Sequence, residues 1–62
     1  MTICYAAIRK NIEYEWIDSS SISCTLAETT GKHRAIDAHI PCWAKDNPVI
    51  RIVRVKVEEI SE

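Results

Sequence analysis

The sequence predicts an α+β domain of two layers: a ββαβ chain whose three strands form an antiparallel sheet, order 2-1-3, with one main helix on one face. Three observations carry that expectation. Two β-rich runs, "TICYAAIRK" and "EYEWID", open the chain. A helix-period stripe fills the middle, and "VIRIVRVKVEEI" near the end alternates apolar and charged residues as a strand does. Going up, down, helix, down sets the last strand antiparallel beside the first. The apolar run from Ile3 to Ile8 then takes the centre of the sheet.

The first two strands, over residues 2–9 and 13–18, read as a hairpin, with Asn11 able to take positive φ at low cost. A two-residue loop would put Tyr5, Ala7, Tyr14 and Trp16 on one face, and Glu13 and Glu15 on the other with Cys4, Ala6 and Ile8. A three-residue loop, Lys10 to Ile12, sets Cys4, Ala6, Ile8, Tyr14 and Trp16 against Ile3, Tyr5, Ala7, Arg9, Glu13, Glu15 and Ile17. A one-residue slip flips a whole strand, so the sharper apolar sorting selects the three-residue loop.

"SSSIS" reads as a loop. Thr25 and Glu28 then form a capping box, and a helix over residues 26–39 follows. Its stripe is Leu26, Thr29, His33, Ile36, Ile40 and Trp43, with Lys32, Arg34 and Asp37 turned away. Gly31 within the helix either admits close packing on the sheet or loosens the first turns. Pro41 breaks the helix and opens a short turn over residues 41–46. Asn47-Pro48 releases the chain into the last strand, residues 49–59. The expected core is Trp16, Ile36, Ile40, Trp43, Val53 and Val55, with Cys4, Ala6, Ile8, Val57 and Leu26 around it.

Composition narrows the function. The chain has 62 residues, 47% hydrophobic and 27% charged, which describes one small globular domain. A core of that size supplies roughly 3–5 kcal/mol, so a staple, a metal or a partner chain is expected to help. The net charge is −1, without the basic excess on which phosphate binding depends. No apolar run reaches membrane-spanning length, and no signal-type segment opens the chain. Three cysteines without CxxC spacing fit reduced thiols in the cytoplasm, each a small buried apolar group.

The residues that resemble a chemical site lie in "HIPCWAKDNP". Cys24, His33, His39 and Cys42 are zinc-ligand types, but His33 and His39 stand six apart rather than three or four. Cys24 and Cys42 flank the helix and should lie roughly 20 Å or more apart. That leaves His39 with Cys42 as the one partial metal pair. Catalysis by Cys42 with His39 lacks an oxyanion hole and a third orienting group. No catalytic residue, metal or cofactor is therefore assigned.

The outer sheet face and the last strand are the stronger candidates. Tyr5, Arg9, Arg51, Arg54 and Lys56 form the expected partner-binding set, with Glu13 and Glu15 beside them. A Val-rich edge strand deterred only by Arg51, Arg54 and Lys56 invites pairing with another chain. A small non-enzymatic protein-interaction module, binding a protein partner or a second copy of itself as a homodimer through the last strand or the outer face, is the leading expectation. The alternative is a nucleic-acid-binding accessory protein using Arg9, Lys32, Arg34, Arg51, Arg54 and Lys56.

The combination "YAAIRK", "YEW" and "IPCWAKDNPVIRIVRVKVEEI" resembles short uncharacterised proteins of enterobacterial phages and prophages. That resemblance covers most of the chain. It implies a small accessory factor that binds a host or phage component, and it brings no activity that can be assigned to particular residues.

Overall fold

A computed structural model describes residues 2–58. The elements run β1 (Thr2–Lys10), β2 (Glu15–Ser23), α1 (Leu26–His39), α2 (Pro41–Asp46) and β3 (Val49–Val57). The three strands form one antiparallel sheet in the order β2-β1-β3. The α+β class, the strand order and both helical segments agree with the sequence reading. β3 ends at Val57, and the expected extension to residue 59 passes outside the described residues.

The hairpin takes the register of the shorter loop, not the expected three-residue one. Arg9 faces Trp16 and Lys10 faces Glu15. The Asn11 N–H donates to the Tyr14 carbonyl at 3.0 Å, leaving Ile12 and Glu13 at the tip. The Asn11 side chain stiffens the turn by accepting from the N–H groups of Glu13 (2.8 Å) and Tyr14 (2.9 Å). No described residue takes positive φ, so Asn11 acts through its amide oxygen rather than its backbone.

That register exchanges the faces of the sheet. Trp16 now lies beside Arg9 and Ala7, and Glu15 and Ile17 lie beside Ile8. The helices cover the face of Ala7 and Arg9, because Arg9 meets side chains of both α1 and α2. Cys4, Ala6 and Ile8 point the other way, with Val55, Val53 and Arg51 as neighbours on β3. α1 packs over β2 and β1 rather than β3, and no residue of β3 is buried.

"SSSIS" extends β2 instead of forming a loop. It does so through a wide bulge: Ala7 faces Asp18 while Tyr5 faces Ser23, so β2 spends five positions where β1 spends two. The bulge interrupts the ladder beside Ala7 and Tyr5, and side-chain hydroxyls bond the backbone of β1 there. The Ala7 N–H donates to Ser21 Oγ at 2.8 Å, and Thr29 Oγ1 donates to the Tyr5 carbonyl at 3.0 Å. Ser21 Oγ also donates to the Asp18 carbonyl at 2.6 Å. Ser21 and Thr29 are fully buried as a result. A second bulge in β3 isolates Ile50, between the pairs Ile8–Arg51 and Arg9–Val49.

The Thr25 cap forms, accepting from the Glu28 N–H at 3.2 Å. Only half of the box is made, since the Glu28 carboxylate accepts from Ser23 Oγ at 2.6 Å instead of the Thr25 N–H. Gly31 faces open space, so it serves no close approach to the sheet. Pro41 opens α2 as expected.

The buried apolar set is small: Cys4, Ala6, Ala7 and Ile8. None of the six expected core side chains joins it. Trp16, Ile36, Val53 and Val55 are half-buried, while Ile40 and Trp43 are 41% and 40% exposed. The exchange of faces explains this, because the helix layer closes over Ala7 and a charged group rather than over the valines of β3.

Candidate functional site

Among the described residues, the most enclosed polar cluster surrounds Arg9, whose side chain is fully buried. β1 delivers it from the centre of the sheet, and three other elements supply its partners. From β2, Asp18 Oδ2 accepts from Arg9 Nε at 2.7 Å; from α1, Asp37 Oδ1 accepts from Nη2 at 2.9 Å. The Asn47 carbonyl, at the end of α2, accepts from Nη1 at 2.9 Å. The guanidinium carbon lies 4.9 Å from the centre of the Trp43 ring, a cation–π contact. Trp43 meets the edge of Trp16 at 6.5 Å between ring centres, and Trp16 meets Tyr14 at 5.3 Å.

Local sequence explains the placement. Pro41 restarts the chain as α2, which turns Trp43 and the Asn47 carbonyl back toward the sheet. Asn47 Nδ2 donates to the Trp43 carbonyl at 2.8 Å and fixes that end. Asp18 is held by the Ser20 N–H at 3.1 Å as well as by Arg9.

The electrostatics are those of a saturated cluster. Burial alone favours neutral Arg9, but hydrogen bonds and charge from Asp18 and Asp37 outweigh it and hold the guanidinium more firmly protonated. Burial likewise works against ionised Asp18, yet hydrogen bonds from Ser20 and Arg9 outweigh it and hold the carboxyl below its ordinary value. No buried side-chain nitrogen or oxygen among the described residues lacks a partner. Each guanidinium nitrogen thus donates to a partner within the chain, and the Trp43 ring lies over the guanidinium.

A pH dependence follows from Asp18. Its folded pKa is lowered, so its contribution is complete above the unfolded aspartate value of about 3.9 and is lost as pH falls through the folded value. The denaturation midpoint should therefore fall on acidification below about pH 4, with a shallower decline in Asp18→Asn. Urea titrations from neutral to acid pH test this, and parallel acid limbs in the two chains would refute it.

The structure redistributes the expected partner-binding residues. Arg9 faces the helices, so it is unavailable to a partner or to phosphate. Tyr5 shares its face, half-buried between Ser23 and Arg54, and stands apart from Glu13 and Glu15. Arg51 reaches Glu15 at 3.2 Å on the opposite, exposed face. Arg54 and Lys56 are exposed on β3, and Lys32 donates to the Ile22 carbonyl at 2.9 Å. Asp37, expected to turn away from the sheet, turns into it, with its other oxygen 3.5 Å from His33 Nδ1. His39 and Cys42 are both exposed. Among the described residues no three His, Cys, Asp or Glu side chains are grouped to hold a metal.

Sequence reasoning missed Asp18 and Asp37 as partners of Arg9. An aspartate inside a β-rich run opposite an arginine-bearing strand was the available signal, because Asp is disfavoured in strands unless something holds it.

Fold and site together define a small α+β domain whose inner layer is organised by a buried arginine. No family model matches the chain, and neither a curated protein nor a solved structure matches it. No helix among the described residues is long and apolar enough to cross a membrane.

Proposed function

We propose that the protein is a non-enzymatic interaction module that self-associates through its open sheet face. The observation that carries this reading is the inverted polarity of the sheet. An antiparallel sheet covered on one side ordinarily turns its apolar residues to the cover and its polar residues to water. Here the charged cluster lies under the helices. The face turned away from the helices exposes Ile17 and Val57 and half-exposes Val53 and Val55, around Cys4, Ala6 and Ile8, which are themselves buried. Ile17 and Val57 are 49% and 44% exposed. A contiguous apolar surface of this kind marks an interaction site.

A second copy is the occupant that fits. Charge on this face is confined to one end, where Arg51 and Glu15 already pair, so the complementary surface is apolar and uncharged at its middle. The face itself meets that requirement. Three strands at about 4.8 Å spacing and some 20 Å of length give a patch roughly 14 Å by 20 Å. Two such patches bury about 560 Å², well under the roughly 1,200 Å² at which specific interfaces begin, so the dimer is weak and forms only at high concentration.

Sedimentation velocity over a series reaching millimolar chain should show monomer giving way to dimer. Val55→Lys should abolish the dimer without changing the far-ultraviolet circular dichroism, since Val55 is already half-exposed in one copy. A chain that stays monomeric throughout, or a dimer indifferent to Val55→Lys, refutes the reading.

The resemblance to phage and prophage proteins accords with an accessory role of this type. The nucleic-acid reading loses support, because Arg9 is buried and Arg51 and Lys32 are engaged within the chain.

A further inference from the structure

Two of the three cysteines meet across the sheet. Tyr5 pairs with Ser23 at the end of β2, and one step further along the same register sets Cys4 opposite Cys24. The backbone directions fix the type of this pair. The Ala7 N–H points toward β2, at Ser21, while the Lys10 N–H points the other way, to the Pro48 carbonyl. Odd-numbered residues of β1 therefore direct their backbone groups toward β2, and Tyr5–Ser23 is a hydrogen-bonded position. Cys4 with Cys24 is then a non-hydrogen-bonded position, where Cα atoms stand about 4.5 Å apart and side chains approach most closely. That separation lies within the range of disulfide-bonded cysteines, about 4.4–6.8 Å between Cα atoms.

We propose that Cys4 and Cys24 form a reversible disulfide, a redox modification site joining β1 to the segment that enters α1. The two thiols have unequal environments suited to the two steps. Cys24 is exposed, whereas Cys4 is 7% exposed. Burial pushes the Cys4 thiol up, and the neighbouring Cys24 thiol pushes it further. Cys24 is accordingly the entry thiol and Cys4 the resolving one. With oxidised glutathione, the Cys24 thiolate attacks one sulfur, forms a mixed disulfide and displaces one glutathione thiolate. The Cys4 thiol gives up its proton to water and attacks Cys24 Sγ, displacing the second glutathione. Two protein thiols are oxidised to one disulfide while one glutathione disulfide is reduced to two thiols. Cys42, exposed on α2, takes no part.

The full-length reduced chain, kept dilute and incubated with oxidised glutathione, tests this. Its intact mass should fall by two hydrogens, with Cys42 alone still alkylated and one non-reduced peptide linking Cys4 to Cys24. The link closes a loop of about 20 residues, so the melting temperature should rise by roughly 10 °C and return on adding dithiothreitol. Cys42→Ser should behave as the parent chain, and Cys24→Ser should gain no link and no thermal shift. A glutathione that persists on Cys24, a link through Cys42, or a chain that stays fully reduced would each overturn the assignment. The inference is independent of self-association, since it concerns bonds within one chain.

Discussion

Arg9→Met should leave the chain unfolded at room temperature. The substitution keeps apolar bulk in the centre of the sheet but strips the countercharge from Asp18 and Asp37, and Asp18 has a side chain only 10% exposed. Removing one partner of a buried ion pair costs about 3–5 kcal/mol. A domain of this size has roughly that much to lose. Far-ultraviolet circular dichroism and urea titration monitored by tryptophan fluorescence measure the outcome. Arg9→Lys should rescue poorly. A single ammonium cannot serve Asp18, Asp37 and the Asn47 carbonyl in the directions that Nε, Nη2 and Nη1 reach together, and it loses the guanidinium's contact with the Trp43 ring. A denaturation midpoint for Arg9→Met equal to that of the parent would show that the cluster contributes nothing net to the fold.

Ser21→Ala should destabilise the chain by about 2–3 kcal/mol, an unusual cost for losing one hydroxyl. In most strands a serine hydroxyl faces water and its loss is small. Ser21 instead stands in for a missing strand partner, accepting from the Ala7 N–H and donating to the Asp18 carbonyl. Alanine leaves both backbone groups buried without partners, and the bulge gives them no alternative strand to pair with. Ser21→Cys, close in size but a weak hydrogen-bonder, should fall in between. Chemical denaturation of the three chains orders them, and a Ser21→Ala midpoint within error of the parent would mean that the bulge closes by itself.

Much of the architecture was legible because it rests on punctuation. Thr25 caps, Pro41 restarts and Asn47-Pro48 releases, and each acts through its own backbone geometry wherever the chain lies in space. The registers were not legible in the same way. Choosing between the two hairpin loops depended on which face would be buried, and apolar sorting pointed to Cys4, Ala6 and Ile8 with Trp16. The observed register instead places Arg9 opposite Trp16 and one step diagonal from Asp18, where a long side chain reaches. An ion pair between strands outweighed the apolar pattern, and hydropathy alone carries no record of such pairs. Trp43 shows the same limit. Its place on the apolar stripe suggested a core plug, whereas it is a part-exposed lid on a guanidinium. Asp37 was set aside for polarity, though a helix facing a buried cation needs an acid on that side. "SSSIS" read as a loop because its hydroxyls looked like solvent-facing groups, when two of its serines are buried and Ser21 supplies the bonds a strand lacks.

The attachment of β3 has a consequence for how the molecule opens. β1 and β2 are bound to each other and to α1 by the arginine cluster and by Ser21 and Thr29. β3 is joined chiefly by its backbone pairing with β1, with no buried side chain of its own and no helix packed over it. With no buried side chain of its own to hold it, β3 is expected to detach before the hairpin–helix unit, giving the chain two cooperative tiers. Amide protons of β3 that pair with β1 therefore exchange with solvent through partial opening, while those between β1 and β2 wait for global unfolding.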